Sequence, residues 1–172
     1  MLKKFGDRLY SSVRELVAEH LQLVAVRDVR PLVPSIMVTG SAVIGSAASE
    51  KREGGKKFLE QLKAVWEDHQ LCMSMITDVL MYMNRIYCSD HKLPSTYAAG
   101  MGLFREHILR NPEYKIGQAL NKVILDQIRM EREGEIISHA PIRSCIYMLE
   151  CLYETEDEIE SEKVYLTSFE GM

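Results

Sequence analysis

Between Lys63 and Cys88 the chain runs KAVWEDHQLCMSMITDVLMYMNRIYC without a Gly or Pro, the residues that most often interrupt a helix. That is enough chain for about seven helical turns. Leu62, Val65, Trp66, His69, Cys72, Met73, Ile76, Val79, Leu80, Met83 and Ile86 recur at helical spacing, so they are expected to form the stripe that faces a core. A second row, Leu71, Met75, Asp78, Tyr82 and Arg85, lies on another side of the same helix. It combines apolar bulk with one acid, one phenol and one guanidinium. A surface helix does not ordinarily carry so much apolar bulk away from its core stripe. Such a row packs against a further layer of helices or receives a partner.

The rest of the chain repeats the helical period. Residues 2–27 place Leu9, Val13, Leu16, Val17, His20 and Leu21 on one face, and Pro31 and Pro34 are expected to stop that helix. The stretch 35–55, small and apolar and then charged with a closing Gly-Gly, reads as an inserted loop, so the long helix should begin near Lys56. Ser95 and Thr96 can cap a helix over about 95–110, with Tyr97, Met101, Leu103, Phe104 and Ile108 as apolar positions. A helix over about 113–132 turns Ile116, Ala119, Leu120, Val123, Ile124 and Ile128 inward, and Gly134 punctuates its end. Pro141 suits the first turn of a last helix, 139–153, with Ile142, Cys145, Ile146, Leu149 and Leu152 inward. Residues 154–162 are dense in acids before Val164, Tyr165, Leu166 and Phe169. No strand alternation is evident. The fold class is all-α: a bundle or stack of about five helices over 1–153, followed by an acidic connection, 154–172, into a truncated next helix.

Composition narrows the function. A net charge of -4 across 172 residues lacks the basic stripe of a nucleic-acid groove. The apolar run from Pro34 to Ser49 is about 16 residues, short of the ~20 that span a bilayer, and it contains two glycines, Gly40 and Gly45. Neither nucleic acid nor membrane is an expected partner. Without a secretory-type opening, the location should be cytoplasmic or nuclear. Cys72, Cys88, Cys145 and Cys151 contain no CxxC pair and read as buried free thiols, with no metal or cofactor expected. Glu67, Asp68 and His69 are consecutive, about 100° apart round a helix, and cannot converge on one ligand. His69 reads as a core histidine with a hydrogen-bond partner. No GxSxG, phosphate-cradling glycine loop or HExxH is present, and on this chemistry the chain is not an enzyme.

The long helix resembles the first-repeat signature of the cullin family, W-x-x-H followed by L-x-Y-x-[DN]-R-x-Y. The matching residues are Trp66, His69, Leu80, Tyr82, Asn84, Arg85 and Tyr87. Three further blocks agree in order: KKFGDRLYSSVRELVAEHL at 3–21, GLFREHILRN at 102–111, and ILDQIRMEREGEIISHAPIRSCIYML at 124–149. The last includes the family-like run Ile128, Glu131, Arg132, Gly134, Glu135, Ile137. Within the family the likeness is greatest to the cullin-3 branch. The resemblance implies a cullin-repeat helical fold, incomplete at both ends, in a non-catalytic scaffold of a ubiquitin ligase. It also implies a BTB-domain adaptor as partner, with Tyr82 central on the contact surface, Asp78 and Arg85 flanking it and Met75 adding apolar area. The alternatives are a different cullin with a Skp1-like adaptor, or a truncated, non-functional gene product. The family's earlier helix, L-x-F-E-x-x-Y-R-x-x-Y, supplies the other half of the adaptor site and has no match here. Nor has the C-terminal domain, so a RING-box protein is not expected to bind this stretch.

Overall fold

The computed structural model describes residues 2–37 and 46–153, with side chains from 5–37 and 52–153. The acidic and apolar segments beyond 153 lie outside the described residues, as does half of the apolar run 34–49. Among the described residues there are six α-helices and no strand: α1 (Leu2–Val24), α2 (Val33–Met37), α3 (Ser46–Val79), α4 (Thr96–Phe104), α5 (Ile116–Arg132) and α6 (139–153). No described helix is long and apolar enough to cross a membrane.

Pro31 and Pro34 do not stop the chain's helical course. The backbone widens into a π-helical turn over Ala25–Val29, tightens into a 3-10 turn over Arg30–Leu32, and re-enters an α-helix at Val33. Each proline falls where a first turn has no intrahelical partner for its nitrogen, so the missing N–H costs little. The α2 carbonyl end is held from α5 by Lys122, whose Nζ donates to the Ile36 carbonyl at 2.8 Å.

The expected loop over 35–55 is the second correction. Residues 35–37 belong to α2, 38–45 lie outside the described residues, and α3 already begins at Ser46. Gly54 and Gly55 sit inside α3, where they let its neighbours come close. A Cβ on Gly54 would stand 3.2 Å from the Ser35 Oγ, and one on Gly55 would stand 3.4 Å from Val123. The pair is a packing seam shared by α2 and α5, and helix punctuation was the wrong reading of it.

The main core is a cluster built on Phe58, Leu59, Leu62, Trp66 and Met73 of α3, met by Leu21, Met101, Phe104, Ile108, Ile116 and Leu120. Trp66 and Phe104 pack edge to face with ring centroids 5.1 Å apart. The main inward positions of α4, α5 and α6 are as expected, and α6 adds Met148, fully buried; Ile146 on the same helix is 40% exposed. In α1, Val17 and Leu21 are buried, but Leu16 is 66% exposed and His20 is exposed too. One residue from Val17, Leu16 points about 100° away from the core face.

Two ends close as their residues predict. The Ser95 hydroxyl accepts from the Ala98 N–H at 3.2 Å, capping α4. Gly134, at φ +85, ends α5 in a Schellman turn: its N–H donates to the Glu131 carbonyl, and the Glu135 N–H reaches back to Met130, both at 3.0 Å.

Candidate functional site

The stripe on α3 holds as core for Leu62, Val65, Trp66, His69, Met73 and Met83. It fails for Cys72, which is exposed, and for Val79 and Ile86, which are 83% and 56% exposed. Cys72 and Val79 lie about 120° and 140° round from Trp66 at 100° per residue, so steps of three had walked the stripe off the core. Ile86 fails for the same reason, about 160° round from Trp66. The chain becomes π-helical over Met83–Cys88, and the buried positions there are Met83 and Cys88, five apart. The remaining thiols divide likewise, Cys88 and Cys145 buried and Cys151 intermediate. Burial pushes the Cys145 thiol up to about 11.

Met75, Asp78, Tyr82 and Arg85 are all exposed, Tyr82 at 78%. Leu71 on the same row, and Val79, Met81 and Ile86 beside it, are exposed as well. No described helix packs over this part of the chain deeply enough to bury it. The end of α3 therefore presents an apolar patch with a phenol, a carboxylate and a guanidinium set in it. The sequence reading missed Val79 and Ile86 as members of this patch because it had assigned them to the core. The angular drift was a readable signal for both, whereas the π segment over Met83–Cys88 was not.

Below the patch the structure is pinned. Asn84 Nδ2 donates to the Thr77 carbonyl at 3.4 Å, and its Oδ1 accepts from the Thr96 N–H at 2.9 Å and from the Thr96 hydroxyl. Tyr87 donates its hydroxyl to the Asp7 carboxylate, which holds the phenol up to about 12. Its ring stacks on His91 at 4.4 Å and covers Gly6, where a Cβ would stand 2.5 Å from the ring. Tyr10, Met83 and Cys88 form a small separate core here, and the Tyr10 hydroxyl donates to the Pro94 carbonyl at 2.9 Å.

The W-x-x-H pair is structural. His69 is 6% exposed, its ring lies 5.0 Å from Phe104, and its Nε2 is 3.0 Å from the Gly100 carbonyl oxygen. Burial drives its pKa down to about 4, so the ring is neutral and Nε2–H donates. Among the described residues no three His, Cys, Asp or Glu side chains converge as metal ligands. The arrangement on α3 suits recognition by packing and charge.

The family description "Cullin alpha solenoid domain" matches residues 1–172. The chain is 31% identical over 170 residues to Cullin-3 of Dictyostelium discoideum, an alignment covering 99% of this chain and 18% of that protein. It is 31% identical over 172 residues to Cullin-3 of Caenorhabditis elegans, covering 99% and 18%. With Cullin-3B of Arabidopsis thaliana the identity is 30% over 166 residues, covering 96% and 19%. The chain thus spans less than a fifth of the length of these relatives.

Proposed function

The chain belongs to the cullin family of helical scaffolds, and from that premise we propose that it serves as the adaptor-binding part of a cullin-RING ubiquitin ligase. In this reading the partner is a BTB-domain adaptor, and Tyr82 is the anchor of the contact. Its ring supplies apolar area and its hydroxyl a hydrogen bond, the combination enriched at interface hot spots. Met75 extends the apolar contact, while Asp78 and Arg85 fix orientation by opposite charges. The protein performs no bond chemistry itself; it holds an adaptor, and through it a substrate, within a larger assembly of the cytoplasm or nucleus. The observation that carries the reading is the exposure of Met75, Asp78, Tyr82 and Arg85 together at the end of α3 in a cullin-family chain.

The test is binding of the chain to an immobilised, purified BTB-domain protein, with a Skp1-like protein as comparison. Tyr82→Ala should weaken BTB binding by about 30-fold, the effect of a ~2 kcal/mol hot spot. Because the side chain is 78% exposed, folding stability should stay within about 0.5 kcal/mol of the parent. Undiminished binding by Tyr82→Ala, or preferential capture of the Skp1-like protein, would refute the assignment.

A further inference from the structure

Asn84 stands two residues after Tyr82 and one before Arg85, at the second position of the π-helical segment. Its amide joins two pieces of backbone and a thiol. Toward the preceding turn, Nδ2 donates to the Thr77 carbonyl. Toward α4, Oδ1 takes both donors of Thr96, the first residue of that helix and 2% exposed. Within the segment itself, the Cys88 thiol points to the same oxygen at 3.8 Å. Unlike the surface row above it, this side chain makes its contacts inward.

The segment it holds controls where the exposed residues point. Up to Tyr82 the chain follows α-helical phase through the bonds Leu80 N–H to Ile76 and Asn84 N–H to Leu80, at 2.9 and 3.1 Å. Beyond Met83 the wider π turn winds less per residue, which turns Arg85 and Ile86 back relative to an unbroken α-helix. A π segment is less favourable than α bonding unless something else holds it. Here the Thr96 donors and the Thr77 carbonyl do so, since each would lose a partner if the segment rewound.

We propose that Asn84 is the positioning residue of the adaptor surface: by locking the π segment to Thr77 and Thr96, it sets the direction of Arg85 and Ile86 relative to Tyr82. The inference rests on the adaptor reading given above. It also gives a chemical reason for an Asn or Asp at this position, since both keep the Oδ1 acceptor that takes the two Thr96 donors.

Three variants of the full chain test it against the same immobilised BTB-domain protein, with Tyr82→Ala as the reference. Asn84→Leu removes both arms at similar size and should weaken binding about tenfold or more; Asn84→Asp keeps the acceptor and should stay within about threefold of the parent. Thr96→Val removes only the hydroxyl arm and should weaken binding about threefold at an unchanged melting temperature. Amide exchange separates positioning from general destabilisation. Protection over 83–88 should fall in Asn84→Leu and Thr96→Val, while protection over 58–66, around Trp66, stays as in the parent. If Asn84→Leu does not fold, Thr96→Val decides by the same two readouts. Loss of binding by Tyr82→Ala with parent-like binding by the folded Asn84 and Thr96 variants overturns this inference alone. Unchanged binding by Tyr82→Ala overturns the adaptor reading and this inference with it. Loss of protection across 58–66 along with 83–88 makes Asn84 a general stabiliser and also overturns the proposal.

Discussion

Lowering the pH from 7 to 4 should cost this protein about 3 kcal/mol of folding stability through one side chain, His69. The imidazole is buried against Phe104 and the Gly100 carbonyl, and burial is the main reason its pKa falls to about 4. The nearby charges are His20, which lowers the value further, and Asp68, which raises it. In the unfolded chain the same group titrates near 6.5. Between those values the unfolded state holds a proton that the folded state does not. The contribution of a neutral His69 is therefore complete above pH 6.5, declines as the pH falls, and is exhausted near pH 4. A displacement of about 2.5 units at ~1.4 kcal/mol each gives the figure of roughly 3 kcal/mol. Urea unfolding followed by the single tryptophan, at half-unit steps from pH 4 to 7.5, would measure it. His69→Gln is the control, because glutamine keeps an N–H donor for Gly100 but cannot titrate. It should be less stable than the parent at pH 7 and lose less stability on acidification. Parallel profiles for parent and variant, within about 0.5 kcal/mol, would refute the buried neutral imidazole.

Two further outcomes follow from local geometry. Ser95→Ala removes the hydroxyl that accepts from Ala98 and should cost about 1 kcal/mol in urea unfolding. Asp7→Asn removes the carboxylate that holds the Tyr87 proton, so a spectrophotometric titration should show one tyrosine, near 12 in the parent, moving down toward 10.

The sequence was most readable where a single residue dictates the backbone. Ser95 announced a helix start through its hydroxyl, Gly134 announced a helix end through a left-handed φ, and Trp66, Phe104 and Leu120 were placed in the core by period alone. Reading failed where the same residue serves opposite ends. Gly54-Gly55 looked like a break because glycine lowers helix propensity, yet the absence of side chains is what lets Ser35 and Val123 approach α3. Val79 and Ile86 were misplaced because steps of three carried the stripe about 140° and 160° round from Trp66, and the change of backbone bonding at Met83 gave no local signal. That change depends on Asn84 meeting Thr96 twelve residues later, a tertiary contact that no window of local sequence contains. On the candidate surface, the helical period separated Met75, Asp78, Tyr82 and Arg85 from the core stripe. Their exposure depended on what the other helices left uncovered.

The small core under the end of α3 also bears on the order in which the chain assembles. The helical course that continues α3 through the π segment to residue 90 is joined to α4 by only a few residues, 91–95, so their contact closes a short loop at little entropic cost. The contacts of the small core bridge far longer separations: Tyr10 reaches Pro94 across 84 positions, and Asp7 reaches Tyr87 across 80. Such contacts carry a larger loop-closure cost. With a core of only Tyr10, Met83 and Cys88 behind them, they are also among the first to open. The patch that bears Tyr82 thus rests on a small core held by long-range contacts. A partner that binds only the closed form stabilises it by mass action, in proportion to its concentration over its dissociation constant. An adaptor seated there would work as a clasp on the fold as well as cargo for the scaffold.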